Sequence, residues 1–182
     1  MSPVMQASLQ MELSGPASAL LQADMTAQVA VQTLIGAGHV QDALKLLARL
    51  LPKRYAVAWL CQCARDQKLD PEDRAGASLA EKWVREPNES NRRAAFEFAN
   101  AGGYKSAGAW VAAAAGWSGG SLAPATQEAP VPPADHLTAC AVVAAINMLA
   151  ALVVENFEAR RAGFIEPAMS LLGAGAAAPS GG

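Results

Sequence analysis

Aromatic side chains are scarce in this chain: Phe, Trp and Tyr together make up 5% of its 182 residues. With that scarcity goes the lack of any clear apolar–polar alternation, which argues against a β-sandwich or barrel. An excess of one charge is missing too, since 14 Lys and Arg stand against 16 Asp and Glu, for a net charge of −2. A strongly basic nucleic-acid footprint is thereby excluded, as is an acidic disordered solubiliser. Cysteine is sparse and odd in number, at Cys61, Cys63 and Cys140, which is not a disulfide framework. On a helix Cys61 and Cys63 point about 200° apart and do not share a metal. The two histidines, His39 and His136, lie far apart in the chain and have no zinc-type spacing with the cysteines. The three thiols are therefore expected to be reduced and mostly buried, and neither a metal nor a cofactor is expected.

What is present in quantity is alanine, 42 residues of it, within a 52% hydrophobic composition. Alanine has the best intrinsic helix propensity, so the expectation is an all-α, compact bundle of about seven closely packed helices. Residues 1–22 mix Pro3, Ser14, Gly15 and Pro16 with scattered apolar positions and read as a flexible arm. Residues 23–172 read as a single helical domain. Within it, Val40, Ala43, Leu44, Leu47, Ala48 and Leu51 form an i, i+3, i+4 stripe that Pro52 interrupts. The next segment, about Pro52 to Asp66, is apolar nearly all round and is expected at the bundle's centre. Asp70-Pro71-Glu72-Asp73 is a strong helix start, and Pro87-Asn88 stops one helix and starts another. Helices are also expected over Met25 to Ile35, over Ser106 to Trp117, and from about Ala134 onward as far as Arg161. Residues 118–133 form a Pro/Gly-rich loop, and 173–182, rich in Gly and Ala, read as a disordered tail.

The same sequence bears on compartment. The first cation is Lys45, so no secretory n-region is expected and the cytoplasm is the expected location. Leu137 to Val154 runs eighteen residues without a charge, near the lower limit for a membrane span. Its apolarity is diluted by alanine and interrupted by Thr138 and Asn147, which favours a buried core helix over a membrane span.

Catalytic motifs are thin. Ser118 and Ser121 flank Gly119-Gly120, and His39 or His136 would be the available bases, but the pattern is not the Gly-x-Ser-x-Gly of a nucleophile elbow. Gly36-Ala37-Gly38 lacks the length and the Lys-Ser/Thr of a phosphate loop. The basic residues are placed more unusually. Lys53, Arg54, Arg92 and Arg93 come early in their helices, where the helix dipole disfavours cations. Arg54 and Arg65, eleven positions apart, return to nearly one face. Pairing with Glu72, Glu81 or Glu86 inside the bundle is the first expectation for them, and reception of an acidic partner segment is the second. The four tryptophans are expected as core anchors before interface anchors.

Three segments together resemble the signatures of a small bacterial family encoded around type VI secretion loci. They are Leu51-Pro52-Lys53-Arg54-Tyr55-Ala56-Val57-Ala58-Trp59 with Cys61-Gln62-Cys63-Ala64-Arg65, then Ala80 to Ala95, then Trp117-Ser118-Gly119-Gly120-Ser121-Leu122-Ala123-Pro124. The resemblance spans roughly Val40 to Asn156. It implies a non-catalytic cytoplasmic adaptor or co-chaperone that helps a secretion chaperone load effector cargo. Its partner would be the chaperone, the effector or both; from charge and composition, no nucleic-acid partner and no membrane span are expected. Partner-binding residues carried over from those segments are Lys53, Arg54, Tyr55, Trp59, Arg65, Arg92, Arg93, Trp117, Ser118 and Ser121. The alternatives are an immunity protein that neutralises a co-encoded toxin, and an enzyme built on the Ser118–Ser121 loop.

Overall fold

The computed structural model describes residues 1–177, with side chains for 1–173. Among them the chain is all-α, with ten α-helices, one 3-10 turn and no strand. In chain order these are α1 (Pro3–Gln10), α2 (Gly15–Ser18), α3 (Ala27–Gly36), α4 (Val40–Leu50), α5 (Lys53–Arg65) and α6 (Pro71–Arg85). They continue with α7 (Glu89–Ala101), α8 (Ala107–Gly116), α9 (Leu137–Ala150) and α10 (Phe157–Ala177), the 3-10 turn Val154–Asn156 preceding the last.

Local chemistry explains most of the starts. Asp70 accepts the Asp73 amide at 2.8 Å and Asn88 accepts that of Asn91 at 2.8 Å. Ser106 does the same for Ala109 at 3.2 Å. Each satisfies a first-turn donor that has no partner within its helix.

The expected count of about seven rises to ten for two reasons. First, residues 1–22 are folded and do not form a flexible arm. They bury Val4, Ala7, Met11, Ala17 and Leu21 against the core. The buried Asp42 carboxylate of α4 also accepts both the Ser14 amide (2.9 Å) and the Ser14 hydroxyl (2.8 Å), fixing the start of α2. Second, the long C-terminal helix is two. It stops at Ala150 and, past the 3-10 turn, resumes with its direction changed by 115°. Pro167 lies inside α10. The helix runs on to Ala177, so the first part of the expected tail is helical; residues 178–182 lie outside the described residues. No single described helix is long and apolar enough to cross a membrane.

The centre is held by α8, in place of the expected α5. Every residue of α8 except Trp110 is buried, and the helix packs against α5, α6, α7 and α9. Apart from Trp110, this axis is made of alanine, glycine and one valine, with no bulky side chains on its buried faces to hold neighbours off, so backbones meet backbones. A Cβ on Gly76 of α6 would fall inside the Gly108 carbonyl of α8. One on Gly108 would fall inside the Asp73 backbone, and one on Gly116 would lie 2.6 Å from the Phe96 Cα of α7. By contrast α5 leaves Arg54, Tyr55, Gln62 and Arg65 exposed. It is tied to α10 by the buried Trp59, whose indole Nε1–H donates to the Phe164 carbonyl at 2.8 Å.

Candidate functional site

Antiparallel packing puts the starts of α5, α7 and α9 at one end of the molecule, beside the ends of α6 and α8. The early cations of the sequence resolve there. A first-turn cation is unfavourable for its own helix but favourable for the exposed carbonyls at a neighbour's C-terminus. Arg54 Nε donates to the Val84 carbonyl at 2.8 Å and Nη2 to that of Arg85 at 3.4 Å, closing the end of α6. At the other end Arg74 of α6 returns the arrangement, donating to Ala64 (3.1 Å) and Gln67 (2.6 Å) at the end of α5. Arg160, early in α10, closes α9 through Leu149 (2.8 Å) and Ala150 (3.2 Å).

The most enclosed of these is Arg92, 3% exposed. Its Nη1 donates to the Gly116 carbonyl at 2.6 Å, and Nε and Nη2 clamp both oxygens of Glu89 at 2.7 and 2.6 Å. Nη2 also reaches the Ser121 carbonyl at 3.4 Å. The guanidinium fills the space beside Gly120, which takes a left-handed φ of +65°; a Cβ there would lie 2.6 Å from Arg92 Nε. Arg93 donates to the same Ser121 carbonyl at 3.1 Å, pairs with Glu97 at 3.2 Å and lies over the Phe96 ring. Lys53 donates to the Ser118 carbonyl at 3.1 Å and sits 3.6 Å from the Asp135 carboxylate.

The loop after α8 is shaped by its two serines. Ser118 Oγ donates to the Ala115 carbonyl at 2.6 Å. Ser121 Oγ accepts the amides of Ala123 (3.1 Å) and Val131 (2.9 Å), pinching the loop where Leu122 N also meets the Val131 carbonyl. Neither hydroxyl has an imidazole as a hydrogen-bond partner among the described residues. Trp117 stacks with Tyr104 and Trp110 into a half-buried trio with ring centroids 5.5 to 5.7 Å apart. Tyr104 is held there at a φ of +58°, an uncommon conformation for a residue with a Cβ.

Lys53, Arg54, Arg92, Arg93, Trp117, Ser118 and Ser121 are thus gathered at one end. Trp59 is in the core, and Arg65 is at the far end of α5, bonded to Glu81 at 2.9 Å. Tyr55 is 37% exposed on the outer face of α5. Between the start of α7 and the loop lies an open hollow of about 430 Å³, lined by Glu89, Ser90, Arg93, Ser121, Pro124 and Glu128 among others. Glu89 and Gly116 belong to no motif of the sequence, and Gly120 stands out there only as half of the Gly119-Gly120 pair, with nothing to show that Arg92 packs on it. The i, i+3 spacing of Glu89 and Arg92 was the available signal for the first; nothing local marks Gly116.

The hydrogen bonds from Arg92 hold the Glu89 carboxyl below its ordinary range, against a smaller opposing effect of burial. Burial pushes the thiols of Cys61 and Cys63 up to about 12, so both stay protonated at neutral pH. Burial also raises Cys140. Among the described residues no three His, Cys, Asp or Glu side chains are placed to hold a metal ion. The arrangement organises backbone and presents a polar, arginine-edged surface.

No curated protein and no solved structure matches the chain. A family model does match, over residues 30–172, and on that match the chain belongs to a family of unknown function, DUF6931.

Proposed function

We propose that the protein is a non-catalytic cytoplasmic adaptor or co-chaperone, assisting a type VI secretion chaperone in loading effector cargo by protein–protein contact and without a cofactor. One observation carries the reading. The three segments through which the sequence resembles proteins of type VI secretion loci are spread from Leu51 to Pro124, yet they meet at one end of the fold. Lys53 joins the first to the third, Arg54 joins the first to the second, and Arg92 and Arg93, both bonded to the Ser121 carbonyl, join the second to the third. Their polar groups bond to one another's backbone, which builds a fixed surface whose exposed edge is arginine and tyrosine, residue types that favour interfaces.

The test is co-purification of tagged full-length protein with untagged products of the neighbouring genes. Capture of a chaperone or effector, together with loss of effector export from otherwise healthy deletion cells, is the expected result. Self-intoxication on deletion would assign immunity instead, and capture of none of the neighbours would overturn the adaptor reading.

A further inference from the structure

The exposed faces of α5 and α6 leave a groove of about 250 Å³ between them, lined by Ala58, Cys61, Gln62 and Arg65 on one side and Glu81, Val84 and Arg85 on the other. Its floor is apolar: Cys61 is buried, and Ala58 and Val84 are half-buried. Its rim is basic. Arg65 and Arg85 stand along it, and Arg54, bonded to the carbonyls of Val84 and Arg85, adds a third guanidinium at the end where α6 stops. Against these three cations the groove offers one carboxylate, Glu81, already engaged by Arg65. No described carboxylate pairs with Arg54 or Arg85. The local excess of positive charge is set in a chain whose net charge is −2.

We propose that this groove docks an acidic segment of a protein partner, with an apolar side chain seated on Ala58, Cys61 and Val84 and flanking carboxylates reaching Arg54, Arg65 and Arg85. The assignment rests on the adaptor reading and names the chemistry of the docked segment. An apolar floor supplies area, while forked guanidinium donors select carboxylates and set their spacing. The bound segment replaces water at Arg85 and shares Arg65 with Glu81. Charge pairing of this kind at a rim acts mainly on the association rate and weakens as salt rises.

The probe is a fluorescein-labelled synthetic peptide of alternating Glu-Glu-Leu triplets, titrated into the full chain by anisotropy, beside the same peptide with Lys for Glu. Saturable binding of the acidic peptide alone is expected, weakening between low and physiological salt. Arg85→Glu and Arg65→Glu should each weaken it roughly tenfold. Lys105→Glu, an exposed reversal of equal charge near the other end of α6, should leave it within about twofold. Among the described residues Arg85 makes no side-chain hydrogen bond or ion pair, and circular dichroism checks that its variant folds. Equal binding of the lysine peptide, or equal loss in Lys105→Glu, would overturn the proposal. So would sensitivity to Arg85→Glu of a homodimer or of binding to phosphatidylglycerol vesicles, which would give the groove to a second copy or a lipid surface. A chain whose Arg85→Glu variant loses the peptide but still captures its neighbours would sink the groove and leave the adaptor reading standing. Failure of the wild type to capture neighbours, with peptide binding intact, would do the reverse.

Discussion

Replacing Arg92 with alanine should destabilise the protein by about 3 kcal/mol. The dominant loss is the charge-assisted bond to the buried Gly116 carbonyl, worth about 1.5–3 kcal/mol, with that acceptor left unsatisfied. Removal of the buried side-chain stem adds a cavity cost of the order of 1 kcal/mol. The pair with Glu89 adds less than about 1 kcal/mol, because the Glu89 side chain is 65% exposed and screened. Relief of guanidinium desolvation offsets part of the total. Since ordinary stabilities run from about 5 to 15 kcal/mol, this is a large fraction, and for a chain of this size it lowers Tm by about 6–12 °C. Urea denaturation followed by tryptophan fluorescence and by circular dichroism measures it. Arg92→Lys keeps the charge without the fork and should lose about half as much. Arg93→Ala, at a partly exposed position beside Arg92, should cost about 1 kcal/mol. If Arg92→Ala proved no worse than Arg93→Ala, or Lys restored full stability, the claim that fork geometry locks α8 to the following loop would be refuted. The pair also sets a pH response. A Glu89 carboxyl held below its ordinary value of 4.5 stabilises the folded chain above that pH and loses the contribution as pH falls through the lower folded value. Glu89→Gln should therefore be less stable than wild type at neutral pH, with the difference closing in acid.

Gly108→Ala and Gly116→Ala should each cost about 3 kcal/mol by chemical denaturation, because their Cβ atoms would meet the backbones of Asp73 and Phe96; Gly119→Ala, with open space around it, should be near neutral. Asp42→Ala removes both bonds to Ser14, so limited proteolysis should cut residues 1–22 much sooner than in wild type, with a loss of about 1–3 kcal/mol. Iodoacetamide at pH 8 should leave Cys61 and Cys63 unmodified in the native protein, as mass spectrometry would show, because burial holds them near 12; rapid labelling of either would mean that α5 opens locally.

Helix starts were the readable part of this sequence, since Asp70-Pro71, Asn88 and Ser106 carry their caps in the side chain itself. Where the controlling partner is distant, the sequence carries no local signal. Val4, Ala7 and Met11 have helical spacing, but over a helix of only eight residues, and the anchor of α2, Asp42, lies 28 residues from Ser14. Between Ala151 and Asn156 there is neither Gly nor Pro, so nothing local announces the break. Arg160, which closes α9, instead makes sense only once the chain has turned back. Central placement of α8 was hidden for another reason: a run of alanines looks bland, and its closeness to α6 and α7 is a property of Gly76 facing it and of its own Gly108 and Gly116. The site was legible in identity more than in role. Arg54 and Arg92 were noticeable as cations where the dipole disfavours them, but the carbonyls they serve belong to other helices.

Because Arg54 and Arg74 each fasten the other helix's tail, α5 and α6 are cross-laced at both extremities. Neither can fray alone without undoing a bond that the other depends on. End-fraying, which ordinarily relaxes a helix one residue at a time, becomes for this couple a joint event, so any movement transmitted through them travels as the shift of a stiff two-rod panel.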